Sequence, residues 1–180
     1  MRWMFLPLQR YVQFNGRSRR MEFWMYMLLL ALVQLVFLLL MVIMIAVMSA
    51  SMRGGESGAY EGLFGFFASI GILLVLEGLI ALGTFLPTLA VQVRRLHDSD
   101  RSGWWVMLFW GPWLLSWVTA VLSAASGEQA IAYLSIFAWV AYLIGLIVLI
   151  VFYCLPGTPG NNRYGPDPLG STVDLAATFQ

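Results

Sequence analysis

Lysine is absent from this sequence, cysteine and histidine each occur once, and charge of either sign is scarce. Charged residues make up 11% of the chain, against about 25% in a typical soluble domain. Hydrophobic residues make up 61%, against about 45–50% in such a domain. These figures exclude an ordinary soluble domain. The net charge of +1 leaves no large uncompensated basic patch, so we expect no nucleic-acid partner.

The single cysteine, Cys154, excludes an internal disulfide and a metal site built from cysteines alone. We interpret it as an apolar residue near the end of a membrane span, and we expect no metal and no cofactor. The absence of lysine has two readings. Either the protein selects guanidinium groups for bidentate contacts, or its genome favours arginine. Under both readings the arginines can bind phosphate.

The apolar residues are concentrated in four runs, each long enough to cross a bilayer, which takes about 20 residues. The runs cover residues 23–48, 63–90, 104–124 and 131–155. A signal peptide has an apolar region of only about 7–15 residues, so we interpret the first run as a permanent helix. The sequence predicts an all-α integral membrane protein, with one four-helix domain over residues 1–168 and a flexible tail over 169–180.

The arginines predict the orientation of these spans. Nine of the ten precede the first run, lie between the second and third, or follow the fourth, whereas Arg53 stands between the first and second. Loops rich in arginine stay in the cytoplasm, so we predict that both termini and the middle loop are cytoplasmic. Residues 1–14 mix aromatic side chains with two arginines. They predict an amphipathic segment at the membrane surface, broken or started at Pro7.

Two polar residues lie near the middle of predicted spans, Gln34 in the first and Glu77 in the second. An antiparallel helix pair would place them at the same depth, and we expect a hydrogen bond from the amide to the carboxyl group. Glu77 would then either clamp two helices together or relay protons or cations in a small channel or transporter. We favour the clamp, because a relay normally needs a chain of ionisable groups that the other spans do not supply.

Small residues predict close contact between helices in two of the spans, because they let backbones approach in lipid. Ala138, Ala141 and Gly145 share one face of the fourth span, and Gly65 and Ser69 share one face of the second.

Residues 94–105 form the most specific motif in the chain, RRLHD-x-x-RSGWW. This string resembles the signature of the domain of unknown function 805 family, the YhaH-like bacterial inner-membrane proteins. Residues 14–24 (F-x-GR-x-RR-x-EFW) and 157–168 (GT-x-G-x-NRYG-x-DP) are similar to two further motifs of that family. Asp100 stands where the family usually has glycine, which puts a tight turn there in doubt. The resemblance implies a small polytopic inner-membrane protein and no agreed activity.

All three motif segments fall on the cytoplasmic side of the predicted topology, so they can meet at the inner interface. We predict a polar cap there, in which near-equal numbers of arginines and carboxylates pair with one another. We expect these pairs to be exposed and to contribute about 0–1 kcal/mol each. The candidate cap residues are Arg17, Arg19, Arg20, Glu22, Arg94, Arg95, His97, Asp98, Arg101, Trp104, Trp105, Arg163 and Asp167.

The sequence is consistent with three functional hypotheses. The first is a non-enzymatic module whose cap binds anionic lipid headgroups or a protein partner, since arginines flanked by tryptophans suit phosphate at that depth. The second is a small oligomeric transporter or channel that uses Glu77 and Gln34. The third is a membrane enzyme that uses His97 and Asp98.

The sequence disfavours the enzyme. Neighbouring residues on a helix point about 100° apart, so His97 and Asp98 are poorly placed as a base and its orienting carboxylate. The chain also has no G-x-S-x-G elbow to present a serine nucleophile. A metal held by His97, Asp98 and Asp100 would be repelled by the arginines on either side. We therefore order the hypotheses as module, transporter and enzyme, with membrane lipids, another membrane protein or a second copy as partners.

Overall fold

The computed structural model describes residues 2–51, 56–168 and 170, with side chains over 2–50, 63–168 and 170. It contains five α-helices, which are α1 (Arg2–Gln9), α2 (Arg20–Ser51), α3 (Glu56–Asp98), α4 (Met107–Ser126) and α5 (Gln129–Cys154). A short 3-10 helix, Gly103–Val106, precedes α4. The described residues form no β-strand, which confirms the all-α class. Arg53 and the predicted tail, except Gly170, lie outside the described residues.

Four of these helices, α2 to α5, are long and apolar enough to cross a membrane, as the sequence predicted. The largest difference from the predicted boundaries is in α3, which continues past residue 90 as an unbroken helix to Asp98. Eight further residues at 1.5 Å each add about 12 Å of helix beyond the predicted span. This extension carries the middle motif away from the predicted span and toward the two terminal segments.

The end of α3 is a Schellman motif, in which a left-handed residue stops the helix. Asp100 has a φ of 54° and donates its N–H to the carbonyl of His97 at 3.1 Å. The N–H of Arg101 reaches back to the carbonyl of Leu96 at 2.9 Å. Aspartate tolerates the left-handed conformation better than most residues, although glycine adopts it at lower cost. The tight turn that the aspartate put in doubt is therefore present.

Helices α4 and α5 form a hairpin in which the backbone of α5 lies close to the backbone of α4. Gly127 ends α4 with a φ of 71° and donates its N–H to the carbonyl of Ser123 at 2.8 Å. On α5, a Cβ added at Gly145 would lie 2.0 Å from the carbonyl oxygen of Leu108. Pro112, one turn after Leu108, has no N–H to donate to that carbonyl. A glycine is therefore needed at 145, where the hairpin is closest.

The two predicted faces of small residues have different outcomes. In α5, Ala138 and Gly145 are buried and Ala141 is partly buried, so this face packs inside the protein. In α3, Gly65 and Ser69 are exposed, and an added Cβ at Gly65 would meet nothing within 4 Å. Among the described residues, the expected packed face of the second span is therefore absent, because both small residues are exposed.

The largest cluster of buried apolar side chains among the described residues lies at one end of the helices. Helix α1 packs against α2 and α3 at this same end. Pro7 is buried within α1, so the expectation that it starts or breaks that helix is wrong. Elsewhere most apolar side chains of α2 and α3 are exposed, as surfaces that face lipid would be. The core cluster consists of Phe23, Tyr26, Val91, Leu96, Val106, Leu149 and Tyr153.

Candidate functional site

Three segments meet at the buried end of the helices, and we refer to them together as the cap. They are residues 14–22, residues 94–105 and residues 153–168. Backbone hydrogen bonds join them. The N–H of Ser18 donates to the carbonyl of Arg94 at 3.1 Å, and the N–H of Thr158 donates to the carbonyl of Asp98 at 2.8 Å. The carbonyl of Asp98, the last residue of α3, has no acceptor role within the helix and is satisfied in this way by the C-terminal segment.

Asp98 lies at the centre of the cap, and its carboxylate accepts hydrogen bonds from two arginines. The Nε of Arg17 donates to its Oδ1 at 2.9 Å, and the Nη1 of Arg95 donates to its Oδ2. Arg17 also donates to the carbonyls of Thr158 and Gly160, each at 2.6 Å. Its guanidinium therefore ties the N-terminal segment to both α3 and the C-terminal segment.

Arg95 secures the end of α5 to the same centre. Its Nε donates to the carbonyl of Tyr153 at 3.0 Å, and its Nη2 donates to the carbonyl of Leu155. Gly157 passes so close that an added Cβ would lie 2.3 Å from Oδ2 of Asp98. The glycine of the C-terminal motif is thus required by its contact with the carboxylate.

A second buried ion pair lies beside the first. The Nη1 of Arg94 is 3.1 Å from Oε1 of Glu22, although the angle between the groups does not form a hydrogen bond. Arg10 approaches the other carboxylate oxygen at 3.9 Å. Glu22 is 2% exposed and Arg94 is 1% exposed, so these two charges compensate each other away from water.

The burial of these charges corrects the expectation of exposed pairs. Arg17, Arg94 and Arg95 are 7%, 1% and 0% exposed. Burial lowers the pKa of Arg94 and Arg95, and the neighbouring carboxylates oppose that shift. Arg94 and Arg95, predicted among the groups that contact lipid or a partner, instead point into the protein. Both side chains therefore fix the geometry of the cap from inside the protein.

His97 and Asp98 do not act on each other. The Nδ1 of His97 lies 3.3 Å from the carbonyl of Gly16, and its ring stacks on Tyr164 with centroids 3.8 Å apart. Burial lowers the pKa of His97, because the charged ring is desolvated there. Asn162 donates to the carbonyl of His97 at 2.9 Å. The histidine therefore holds cap segments together, and the described residues contain no group of three possible metal ligands.

The remaining predicted residues lie around the rim of the cap. Arg101 stands 3.8 Å above the ring of Phe152 instead of facing a carboxylate as predicted. Arg163 pairs with Asp100 at 3.1 Å, and both side chains are about half exposed or more, at 61% and 46%. Trp104 and Trp105 are 77% and 41% exposed, which suits indole rings at a membrane interface.

A cavity of about 870 Å³ lies beside the cap, between α1, the start of α2 and the C-terminal segment. Arg19 and Arg20 line it from the polar side. Arg20 is exposed, and its one hydrogen bond within the described part of the chain is a long one of 3.4 Å to the carbonyl of Cys154. Arg19 donates to the carbonyl of Pro168 and lies 5.6 Å from the ring centre of Trp3. We refer to this space as the large cavity.

The apolar wall of the large cavity was not predicted as part of the site. Trp3, Met21, Trp24, Met25 and Cys154 line it. Met21 and Trp24 are 59% and 40% exposed on α2, so the wall continues onto the outer surface of that helix. Trp3 carried a signal in the sequence, as an aromatic residue in the predicted interfacial segment. Its contact with Arg19 depends on how α1 docks, which no local pattern reveals.

The polar pair inside the predicted spans has the expected partner. The Nε2 of Gln34 donates to Oε1 of Glu77 at 2.6 Å. The second carboxyl oxygen of Glu77 is covered and has no hydrogen-bond partner among the described residues. The pair joins α2 to α3 far from the cap, with no further ionisable side chain beside it on the described parts of these two spans. This geometry suits the clamp better than a relay.

Comparison with known proteins agrees with the motifs. The profile of a family described as protein of unknown function (DUF805) matches residues 11–166. The inner membrane proteins YhaH and YhaI of Escherichia coli (strain K12) are each 34% identical over 168 residues. That alignment covers 93% of this chain and 97% and 96% of the two relatives. No solved structure matches.

A third relative matches only part of the chain. The uncharacterized protein YiiR of the same organism is 36% identical over 81 residues, which is 45% of this chain and 52% of the relative. The profile covers all four spans and the cap segments except residues 167 and 168. The chain belongs to the DUF805 family of inner membrane proteins.

Proposed function

We propose that this protein is a non-enzymatic module of the inner membrane that binds the headgroup of an anionic lipid beside its cap. One observation carries the proposal. The large cavity runs from Arg19 and Arg20 to apolar side chains on the outer surface of α2. A lipid has the same two parts, a phosphate and a hydrocarbon chain, and an opening toward the bilayer would admit it sideways.

The arginines of the cap divide into two groups, and the division supports this site. Arg17 and Arg95 are saturated by Asp98 and by backbone carbonyls, so they fix the structure. Arg19 and Arg20 make few bonds to the protein and keep guanidinium donors free to bind oxygen atoms of a phosphate. A basic pocket between membrane helices on the cytoplasmic side is the usual place for such recognition.

Anionic headgroups on the cytoplasmic leaflet reach this site only if the cap is cytoplasmic, which the distribution of arginines favours. Asn161 is exposed on the C-terminal segment and suits a test of orientation. We expect Asn161→Cys, in a Cys154→Ser background, to resist a membrane-impermeant maleimide in intact spheroplasts and to react after permeabilisation. Labelling of intact spheroplasts would place the cap outside and overturn this part of the proposal.

The lipid itself is tested by native mass spectrometry of the full chain extracted gently from its own membrane. We expect the wild-type protein to retain an anionic lipid and the double variant Arg19→Gln, Arg20→Gln to lose it. Arg163→Gln is the matched control, because Arg163 is exposed and does not line the large cavity. Retention that is unchanged in the double variant would reject the proposal. A protein retained in place of the lipid would favour the protein-partner alternative.

A transporter is the second candidate, and the Gln34–Glu77 hydrogen bond inside the predicted spans is the observation in its favour. Proteoliposomes separate the two functions. Ion or proton flux that the wild-type protein supports and Glu77→Gln abolishes would establish the transporter. Flux that is absent, or unaffected by the substitution, would leave Glu77 as a clamp between helices.

A further inference from the structure

A second cavity, of about 360 Å³, lies on the other side of Arg19 from the large one. The two spaces have a common wall, formed by Trp3, Arg17, Arg19, Asp167 and Pro168. Arg20 lines only the large cavity, and Arg10 and Glu22 line only the second. The two spaces therefore lie against each other with Arg19 between them, and a molecule that occupied both would pass the Arg19 side chain.

The second cavity is built from side chains whose charges leave a preference for an anion. Three arginines and two carboxylates line it. One of the carboxylates, Glu22, is 2% exposed and is already compensated by the buried Arg94 at 3.1 Å. The covered oxygen Oε1 of Glu22 has no hydrogen-bond partner among the described residues. Two of the charged lining residues, Arg17 and Glu22, are thus buried at 7% and 2% exposure.

Arg10 is the group that this arrangement leaves available. Its side chain is 41% exposed, and the ion pair that it makes with Glu22 is a long one of 3.9 Å. Arg17, in contrast, is committed to Asp98 and to two carbonyls. A guanidinium held loosely at the far side of the cavity can turn toward an incoming phosphate with little loss of existing contacts.

We infer that the lipid bound by the cap carries two phosphate groups, the first held by Arg19 and Arg20 and the second, in the smaller cavity, by Arg10. This inference rests on the proposed function and specifies its lipid class. The apolar chain lies along the large cavity. A headgroup with a single phosphate would fill the site at Arg19 and leave the second cavity without an anion.

The test compares two lipids that differ by one phosphate. Dioleoylglycerol diphosphate and dioleoyl phosphatidic acid have the same chains and are added singly to the purified full-length protein in nanodiscs. Native mass spectrometry gives the bound fraction of each across a concentration series. We expect the wild-type protein to bind the diphosphate about tenfold more tightly, the effect of one additional charge-assisted contact.

Three variants separate the two positions. Arg10→Gln should lower the preference for the diphosphate to nearly one and leave affinity for phosphatidic acid unchanged. Arg20→Gln should lower the affinity for both lipids about equally, so the ratio of the two affinities should not change. Arg163→Gln, outside both cavities, should behave as the wild type. Soluble pyrophosphate is added in a parallel series, and binding as tight as that of the lipid diphosphate would show that the site takes a free phosphate compound.

The outcomes distinguish the inference from the function beneath it. Equal affinity of the wild type for both lipids, or a preference that survives Arg10→Gln, would overturn the two-phosphate inference and leave the lipid-binding proposal standing. Failure of the wild type to bind either lipid would remove both. Among the described residues the Arg10 side chain makes one long ion pair, so its substitution should leave folding intact. The charge states of the intact protein report this in the same spectra.

Discussion

The cap and the middle of the α2–α3 pair are built from the same two helices, yet they are held together by different forces. At the cap, charged and polar side chains are buried in a connected set centred on Asp98. In the middle of the pair, apolar side chains face outward and one hydrogen bond, from Gln34 to Glu77, joins the helices. Among the described residues, the α2–α3 pair is therefore held by buried polar contacts at one end and by a single hydrogen bond in its middle.

The difference follows from the solvent. Lipid chains are as apolar as leucine, so burying a leucine of α2 against α3 gains little over leaving it in the bilayer. Geometry in the hydrocarbon must come from polar contacts and from small residues that let backbones meet. At the cap, water competes for every charge, and the cap excludes it by packing Phe23, Leu96 and Tyr153 beneath the ion pairs. The cap is thus a fixed surface beside the lipid site that we propose.

Asp98→Asn should break the cap more severely than any other conservative change. It removes the charge that compensates Arg17 and Arg95, which are 7% and 0% exposed. Loss of one partner from a buried ion pair costs about 3–5 kcal/mol. Thermal unfolding in nanodiscs, followed by tryptophan fluorescence, should show a large fall in midpoint temperature.

The control for this change is the neighbouring carboxylate. Asp100→Asn removes the partner of Arg163 from a pair whose side chains are 46% and 61% exposed. We expect a cost of about 0–1 kcal/mol there. An equal loss of stability in Asp98→Asn and Asp100→Asn would show that burial does not make one ion pair more important than the other.

Gly145→Ala should disturb the spans where they are packed most closely. The new Cβ would lie 2.0 Å from the carbonyl oxygen of Leu108, which is backbone and cannot turn aside. Overpacking of this kind costs about 1–3 kcal/mol. Gly71→Ala on α3 is the matched control, because an added Cβ there meets nothing within 4 Å. The same unfolding assay applies, and a stable Gly145→Ala variant would show that the hairpin can separate freely.

The spans and the polar contacts between them could be predicted because each depends on local pattern. The apolar runs predicted the four helices. The equal depth of Gln34 and Glu77 in antiparallel spans predicted the hydrogen bond between them. Arginine counting placed the three motifs on one side, and the structure brings them together. The two charge signs in the motifs also indicated internal pairing, which Arg17, Arg94 and Arg95 show.

The burial of those arginines and the two cavities could not be predicted from the same patterns. Both depend on the docking of α1 and of residues 156–168 against α3, which are contacts between segments far apart in sequence. Sequence spacing treats Arg94 and Arg19 alike, as basic residues of a motif. Only the three-dimensional arrangement shows that Arg94 faces Glu22 inside the protein and that Arg19 lines a cavity beside Trp3.

The Gln34–Glu77 contact should prove weaker than the cap, which a double-mutant cycle with Gln34→Leu and Glu77→Leu measures. Hydrogen bonds between helices in membranes contribute about 0.6–2 kcal/mol, because the separated helices find other polar partners. We expect a coupling energy in that range from unfolding of the two single variants and the double variant. A coupling near zero would mean that the two residues do not act as a clamp.

Asp100→Gly should produce the smallest effect, and a favourable one. Asp100 occupies the left-handed position of the Schellman motif with a φ of 54°, where glycine has no Cβ to strain the backbone. A glycine at such a position should stabilise the protein by roughly 0.5–1 kcal/mol. The loss of the exposed ion pair with Arg163 reduces this gain. Asp100→Asn removes the same ion pair but keeps a side chain, so the difference between the two variants isolates the backbone term. If Asp100→Gly unfolds at a lower temperature than Asp100→Asn, the aspartate is retained for a contact at the rim of the cap rather than tolerated in the turn.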